Sequence, residues 1–288
     1  MSERRAAPTV LQISLGRRLR DLRERAGLSA AQAGERIRVA QSTVTRLEGA
    51  RTSLNYTTVK ALLELYGVTG AEAVEFLALV DKANEYGWWQ DFRDVLPVRF
   101  GVYVSLESAA AQIRAYEPQV VPGLLQTPAY CEAVIRLGFP GDSDEAVRRR
   151  VALRLQRQRV LTRADGPPFL WAVIDETALR RPAGSSAVMA EQIEWLLRTA
   201  DLPNVALQVH AFEAGLHRGA FGPFTLFRFP IPDFPDIACV DSLRGTAYRD
   251  ETADVELYRS TFEHLMTGAL ARRRTKGFLE ALRKEYLR

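Results

Sequence analysis

Residues 28–48 read LSAAQAGERIRVAQSTVTRLE, and this stretch decides the fold of the amino-terminal part of the chain. Ser29 is a good helix N-cap, because its hydroxyl can accept a hydrogen bond from an unpaired amide of the first turn. Ala33 and Ile37 are four residues apart and fall on one helix face. A second helix is predicted to begin at Gln41. The stretch therefore predicts two short helices joined by a tight turn.

The second helix has an apolar inner face and a polar outer face. Val44 and Leu47 are three residues apart and point inward. The outer face carries small polar side chains and one arginine, namely Gln41, Ser42, Thr43, Thr45 and Arg46. A helix-turn-helix places such a helix in the DNA major groove. The pattern predicts binding of double-stranded operator DNA; an ordinary small helical bundle is the alternative.

The chemistry of base reading assigns these side chains different roles. Glutamine can form two hydrogen bonds with adenine, and arginine can do the same with guanine. The hydroxyls of Ser42, Thr43 and Thr45 suit phosphates or a thymine methyl, contacts that position the helix. Arg51 and Tyr56 follow the helix and are expected to contact the flanking DNA backbone.

The charge of the chain is concentrated at its amino end. Residues 1–60 hold eleven arginines and one lysine against five acidic residues, a net charge of +7 in a chain whose total is +4. Basic side chains that neutralise phosphates release counterions and so favour binding to DNA. The asymmetry indicates that the amino end is the DNA-binding side.

Residues 15–66 resemble the Xre family of helix-turn-helix regulators, which includes phage repressors. The resemblance rests on about twenty positions that follow the family pattern LS…AER-[IL]-x-V-x-x-S-T-[VI]-[ST]-R-[LI]-E, here LSAAQAGERIRVAQSTVTRLE. It implies a five-helix, lambda-repressor-like domain. It also implies that the base-reading positions are Gln41, Ser42 and Arg46.

The same resemblance implies a structural pair and shows two departures from the family pattern. In repressors of this kind an arginine of the first helix pairs with a glutamate ending the recognition helix, and these positions match Arg23 and Glu48. The family's backbone-contacting glutamine after the N-cap is replaced by Ala30. The usual glycine of the turn is replaced by Arg38, which carries a steric cost if its φ is positive. Arg38 could offset that cost by contacting a phosphate.

The length of 288 residues predicts two domains. We expect residues 1–10 to be disordered, residues 11–86 to form the helix-turn-helix domain with a bridging helix, and residues 87–288 to form a regulatory, partner-binding domain. Gly87, Pro97 and Gly101 interrupt the helical periodicity at this boundary.

The larger domain is predicted to be α+β and mostly helical, with a small antiparallel or mixed sheet flanked by helices. Strand-like runs lie at residues 169–174, 204–212, 224–229, 236–241 and around 247–249, with a helix predicted at 187–200 and two closing the chain. Ser105 is predicted to cap a helix that runs to about Tyr116. Residues 144–163 predict an arginine-rich amphipathic helix, whose polar side is a solvated face, a partner groove or a second nucleic-acid surface.

Residues 88–271 show a second resemblance, carried by segments such as WWQDFRDVLP, LESAAAQIRAYEPQVVPGLLQTPAYCEAVIR and PNVALQVHAFEAGLHRGAFGPFTLF. They resemble a domain of uncharacterised role that accompanies Xre-type domains in antitoxin-like regulators of high-GC filamentous bacteria. The resemblance implies a small companion protein encoded nearby as a partner. It implies no catalytic residues.

The sequence predicts no enzyme active site, no metal site and no cofactor. It holds no glycine-rich phosphate loop, nucleophile elbow or HExxH motif. The three histidines, His210, His217 and His264, are expected to be ordinary core or surface residues. Asp175 and Glu176 adjoin a strand end and are interpreted as the first turn of a helix. Two cysteines, Cys131 and Cys239, predict buried, reduced thiols.

One segment of the larger domain could line a small-molecule pocket. In YEPQVVPGLLQTPAY the polar groups would be Tyr116, Gln126 and Tyr130, and a packed loop is the alternative. The amino terminus lacks an apolar run typical of a signal peptide, and the chain has no stretch of about eighteen apolar residues, so a cytoplasmic protein without a membrane contact is expected.

Together these patterns predict a dimeric, operator-binding transcriptional regulator. Two half-sites about 34 Å apart would supply specificity that one short helix cannot. The alternatives are a regulator whose larger domain binds a small molecule and, third, an enzyme with a DNA-binding module.

Overall fold

The computed structural model describes residues 8–231, 234–242 and 245–288. These residues divide into two compact units. The first extends to Arg93 and includes Pro97–Leu106; the second comprises Asp94–Leu96 and Glu107–Arg288. This division falls later in the chain than the predicted boundary at residues 86 and 87. One reason is a hydrogen bond within the first unit, in which the Val10 amide donates to Ser105 Oγ at 2.9 Å.

The first unit is built from a bundle of helices. Its helices are α1 (Val10–Arg25), α2 (Ala30–Arg36), α3 (Gln41–Glu48), α4 (Tyr56–Leu65) and α5 (Gly70–Ala83). A 3-10 turn follows at Trp88–Phe92, and α6 (Val98–Ala109) passes into the second unit after Leu106. The predicted five-helix domain is confirmed.

The core of the bundle is formed by aliphatic side chains at helical spacing. Leu15, Leu19 and Leu22 of α1 pack with residues of α3, α4 and α5. Burial of each such side chain stabilises the fold by about 1.5–3 kcal/mol relative to leaving it exposed. This burial fixes the direction in which the opposite, polar face of each helix points.

The start of α1 lies within the segment 1–10 that the sequence predicts to be disordered. Residues 1–7 lie outside the described residues, but Thr9 is the N-cap of α1 and forms a capping box with Gln12. The Gln12 amide donates to Thr9 Oγ1 at 3.2 Å, and the Thr9 amide donates to Gln12 Oε1 at 3.0 Å. Val10 is buried. Capping and burial together order these residues.

The second unit contains a six-stranded mixed sheet. Its strands are β1 (Gln112–Glu117), β2 (Phe169–Asp175), β3 (Val205–His210), β4 (Phe224–Arg228), β5 (Ile237–Ser242) and β6 (Gly245–Arg249), in the order β3-β2-β1-β4-β5-β6. The first three strands are parallel, while β4, β5 and β6 are antiparallel to their neighbours. The predicted mixed sheet flanked by helices is confirmed, and the five predicted strands correspond to β2–β6.

Six further helices complete this unit. They are α7 (Pro128–Gly138), α8 (Asp144–Gln158), α9 (Glu176–Arg180), α10 (Ser186–Thr199), α11 (Thr252–Gly268) and α12 (Arg272–Tyr286). Phe262 and Leu265 of α11 pack with Tyr116, Val173 and Phe224 of the sheet. α11 therefore covers part of the sheet.

The first strand was mistaken for helix in the sequence. The helix predicted from Ser105 to about Tyr116 is wrong, because Ser105 lies inside α6 and Tyr116 lies in β1. β1 pairs with β2 on one side and β4 on the other, and Ile113, Ala115 and Tyr116 are buried. Pairing on both edges overrides the helical tendency of the alanine-rich segment before it.

Candidate nucleic-acid interface

The turn between α2 and α3 is held tightly. The Val39 amide donates to the Gly34 carbonyl at 2.8 Å. A Cβ on Gly34 would lie 2.8 Å from the Val39 carbonyl oxygen, closer than side-chain atoms come. Arg38 adopts a φ of +59°, a conformation that favours glycine. The turn therefore needs glycine at position 34 and tolerates an arginine at a strained position.

The two faces of α3 differ as its sequence predicts. Val44 and Leu47 are fully buried in the helical core. Gln41, Ser42, Thr45 and Arg46 are exposed, and Thr43 is half-buried. A continuous polar face is therefore presented to solvent along the helix.

Arg46 is folded along its own helix. Its Nε donates to the Ser42 carbonyl oxygen at 3.0 Å, and a terminal nitrogen donates to Ser42 Oγ at 2.9 Å. Thr45 Oγ1 similarly donates to the Gln41 carbonyl at 3.1 Å. These bonds are exposed, so the Arg46 guanidinium can exchange them for other acceptors.

Arg23 and Glu48 form a bidentate ion pair between α1 and the end of α3. Arg23 Nε lies 2.7 Å from Glu48 Oε1, and the second bond measures 2.9 Å. The third guanidinium nitrogen donates to the Leu28 carbonyl at 2.8 Å. The side chains are 10% and 6% exposed, and the hydrogen bond to Glu48 raises the pKa of Arg23. The pair ties α1, the start of the helix-turn-helix and α3 together.

A close backbone approach also supports α3. A Cβ on Gly16 of α1 would stand 2.6 Å from the Glu48 carbonyl oxygen. Only glycine lets α1 approach the carboxyl end of α3 so closely. Because α3 is eight residues long, contacts of this kind fix its orientation more than its own hydrogen bonds do.

The predicted phosphate-contacting residues lie around the polar face. Arg38 is exposed in the turn, Arg51 is exposed just after α3, and Tyr56 begins α4 with its ring partly exposed. The Arg51 amide donates to the Arg46 carbonyl at 2.8 Å, which holds the following loop against α3. Ala50 has a φ of +49° in that loop.

The proposed pocket residues of the second unit lie in two places. Gln126 and Tyr130 meet at Val121, whose amide donates to Tyr130 Oη at 3.1 Å and whose carbonyl accepts from Gln126 Nε2 at 2.7 Å. Tyr116 lies apart from them in β1, where its ring packs against Phe224. All three are buried, and Gln126 and Tyr130 organise a packed loop.

The arginines of α8 are engaged within the second unit. Arg157 forms a buried bidentate pair with Glu107, at 2.8 Å for each bond. Its neighbours bond to protein acceptors as well: Arg148 to Glu145, Arg149 to Asp94, Arg150 to Asp142 and Arg154 to Gln126. These contacts neutralise much of the polar face of α8, for which a second nucleic-acid surface was one of the interpretations of the sequence.

The structure brings together three residues that sequence reasoning kept apart. Asp175, His210 and His217 each offer a ligand atom, and these atoms lie within 4.8 Å of one another. His210 and His217 thus lie side by side, whereas His264 lies elsewhere, exposed on α11. Burial and the neighbouring His217 lower the pKa of His210. The missed signal is that Asp175 directly follows the strand predicted at 169–174 and His210 lies near the end of the strand predicted at 204–212.

The acidic residues and cysteines agree with their structural interpretation. Asp175 caps α9 by accepting from the Thr177 amide at 2.8 Å, and Glu176 begins that helix. Cys131 and Cys239 are both buried and unbridged. Burial raises the pKa of each thiol, so both are protonated, unreactive thiols at neutral pH.

These features define the class: a protein with an amino-terminal helix-turn-helix domain, as found in DNA-binding regulators. Residues 14–76 match the family model described as a helix-turn-helix domain. Residues 100–281, more than half of the chain, match the model described as a domain of unknown function, DUF5753. The chain belongs to the DUF5753 family.

Comparison with curated proteins, and with solved structures, gives no match to this chain. Among the described residues, no helix combines the length and apolar character needed to cross a lipid bilayer.

Proposed function

We propose that this protein is a sequence-specific transcriptional regulator that binds operator DNA through α3. The observation that carries the proposal is the polar face of α3, exposed to solvent while Val44 and Leu47 are buried. Gln41, Ser42 and Arg46 contact base edges. Arg38, Thr43, Thr45, Arg51 and Tyr56 contact phosphates, sugars or a thymine methyl. The pair Arg23–Glu48 positions α3 and does not contact DNA.

The proposed regulator is of the Xre type, antitoxin-like, cytoplasmic and dimeric. Its second unit mediates dimerisation and binds a small companion protein. Two symmetric copies would double the number of bases read, which one eight-residue helix requires for specificity. The support for the companion protein is the sequence resemblance of residues 88–271. Operator binding places the protein with the chromosome, hence in the cytoplasm.

A mobility-shift experiment on duplexes from the protein's own promoter region tests the proposal. We expect a retarded complex that a mutated half-site abolishes and that forms with two chains per duplex. Binding that is equally strong on unrelated duplexes would contradict sequence reading, and one chain per duplex would contradict the dimer. Adding the product of the adjacent small gene should change the footprint if that protein is the companion.

A second candidate function is a regulator whose second unit binds a small molecule. A cavity of about 480 Å³ in that unit is lined by residues that include Glu176, Arg180, Phe212 and Arg274. Its size lies within the range of small-molecule sites, about 300–1,000 Å³. A metabolite that raises Tm and also releases the operator would support this candidate. Raised Tm without a change in operator affinity would exclude regulation by that compound, because a regulatory ligand must bind the two states differently.

A further inference from the structure

Three side chains of metal-ligating type meet at the carboxyl ends of two parallel strands. Asp175 ends β2 and His210 ends β3, and the two are register partners in the sheet. His217 comes from the loop that follows β3. In sheets of this kind, ligands bind outside the carboxyl ends of the strands.

The spacing of the three groups suits one cation. His217 Nε2 lies 3.3 Å from Asp175 Oδ2, and the rings of His210 and His217 have centroids 3.9 Å apart. Two ligands of a tetrahedral cation with bonds of about 2.0–2.2 Å stand roughly 3.3–3.5 Å apart. The Asp175–His217 pair already has this separation, and the ligand atoms of all three residues lie within 4.8 Å of one another.

Neighbouring groups hold these side chains in place. Asp175 Oδ1 accepts from the Thr177 amide, which leaves Oδ2 directed toward His217. The ring of Tyr116 packs edge-to-face against His217 at 5.8 Å. The imidazole of His210 is 3% exposed. Burial holds this ring near Asp175 and His217, whose ligand atoms lie within 4.8 Å of its own.

We propose that Asp175, His210 and His217 bind one divalent transition-metal cation of the zinc type. Two imidazoles and one carboxylate suit Zn²⁺ and its neighbours, whereas Mg²⁺ and Ca²⁺ prefer all-oxygen sites. Three protein ligands leave a fourth position for water or another ligand.

Cation binding requires one proton to move. The Gly219 amide donates to His217 Nδ1 at 3.1 Å, so a neutral His217 carries its proton on Nε2, facing Asp175. The cation takes the position of that proton, which moves to Nδ1, and the Gly219 amide turns away. The same loop carries Leu216 and Phe221, which are 93% and 96% exposed. Cation binding therefore changes the conformation of a loop that presents apolar side chains.

The test is a Zn²⁺ titration of the full chain, stripped of metal, against a chromophoric chelator, with Co²⁺ absorption as a second readout. We expect one equivalent of Zn²⁺ per chain and a visible Co²⁺ spectrum of four-coordinate type. Asp175→Asn keeps an N-cap for α9, because asparagine caps as well as aspartate, but it removes the anionic ligand. It should weaken Zn²⁺ binding at least about 100-fold, since even outer-shell partners are worth 10–100-fold.

His217→Asn and His210→Gln should weaken binding to a similar extent, and His264→Asn, at the exposed histidine of α11, should leave it unchanged. Circular dichroism checks the fold of each variant. If the wild-type chain binds no stoichiometric Zn²⁺, the proposal is wrong. Equal binding by wild type, Asp175→Asn and His217→Asn would place the cation elsewhere and would also overturn it. Should a histidine variant fail to fold, Asp175→Asn and the wild-type Co²⁺ spectrum decide the question.

Discussion

At the scale of single residues, base reading by α3 depends on what the Arg46 guanidinium contacts. In the protein alone it bonds to Ser42, through the carbonyl at 3.0 Å and the hydroxyl at 2.9 Å. Exposed hydrogen bonds contribute about 0.5–1.5 kcal/mol each at most. A bidentate contact with guanine is worth about 1–3 kcal/mol of discrimination. Because the free energy of the Ser42 hydrogen bonds and that of a guanine contact are comparable, Ser42 can hold Arg46 on the outer face of α3 without preventing it from reaching a base.

Replacing Arg46 tests its role as a base reader. Arg46→Ala should cost about 1–3 kcal/mol of binding free energy and relax specificity at one base pair. Arg51→Ala is the matched control, because loss of a phosphate contact weakens all sequences alike and lowers the salt slope by about 1. Affinities for single-base variants of the operator, measured by fluorescence anisotropy, distinguish the two patterns. A uniform loss with Arg46→Ala would show that Arg46 does not read a base.

Arg38 combines backbone strain with a charge, and two substitutions separate these effects. At its φ of +59° a side chain costs about 1–2 kcal/mol, which glycine avoids. Arg38→Gly should therefore be more stable than Arg38→Ala by about 1 kcal/mol in denaturant unfolding. Both should bind DNA more weakly than wild type if Arg38 contacts a phosphate. Equal stability of the two variants would mean that the turn relaxes away from the positive φ.

At the scale of elements, the orientation of α3 depends on tertiary contacts. An isolated helix of eight residues is unstable in water, so its burial and its ties to α1 keep it in place. The Arg23–Glu48 pair and the close approach at Gly16 act on the same end of α3. The free amino end, with Gln41 and Ser42, is the end that a recognition helix directs at base edges.

The buried pair should be far more important for stability than an exposed one on the same helix. Glu48→Ala leaves the buried Arg23 with only a longer contact to the exposed Glu24, at 3.5 Å, and should cost about 3 kcal/mol of unfolding free energy. Glu24→Ala removes the exposed pair with Arg20 and the longer contact with Arg23, and should cost about 1 kcal/mol or less. Replacing both Arg23 and Glu48 by apolar residues should recover much of the loss. Chemical denaturation measures the unfolding free energy of all three variants. A small loss of unfolding free energy for Glu48→Ala would contradict the proposed role of the pair.

Local sequence patterns predicted the helices and strands that are marked by their own residues. The capped, amphipathic stretch 28–48 predicted α2 and α3, and the apolar runs predicted β2–β6. The first strand was missed because its pairing on both edges, and not its own sequence, makes it a strand. The cluster of Asp175 with two histidines was missed for a related reason. It exists only because β2 and β3 are parallel and in a register that places their last residues side by side.

The Arg23–Glu48 pair could not be predicted from the local pattern, since its members are 25 residues apart. Only the resemblance to other helix-turn-helix sequences indicated it. The φ of Arg38 was anticipated in the same way, from the position where glycine is usual. The packing of Gly16 on α3 gave no signal in the sequence.

At the scale of the whole molecule, charge is distributed unevenly along the chain. The net charge of +7 in residues 1–60 lies with the helix-turn-helix, while the rest of the chain is net negative. Long-range attraction to DNA should therefore act through the first unit and weaken with salt. Many arginines of the second unit are paired with acids, as in the buried Arg157–Glu107 contact.

The second unit should also lose stability as the pH rises. Burial, together with repulsion from Asp241, raises the pKa of Glu117 to about 8. An unfolded glutamate has a pKa of about 4.3, so the unfolded chain ionises first and stability falls between that pH and about pH 8. Glu117→Gln should therefore raise Tm relative to wild type more at about pH 8 than at about pH 5. Glu280→Gln, at an exposed site on α12, is the control. If the Tm difference between Glu117→Gln and wild type were the same at both pH values, the raised pKa of Glu117 would be contradicted.

The most direct test of the central claim is selection of bound duplexes from a random DNA pool by the full chain, repeated with Gln41→Ala and Arg46→Ala. We expect one enriched motif of two half-sites about one helical turn apart, in which each substitution removes the preference at a defined base pair while the rest of the motif remains. No enrichment with the wild-type chain, or an identical motif with both variants, would contradict the claim that the outer face of α3 reads DNA.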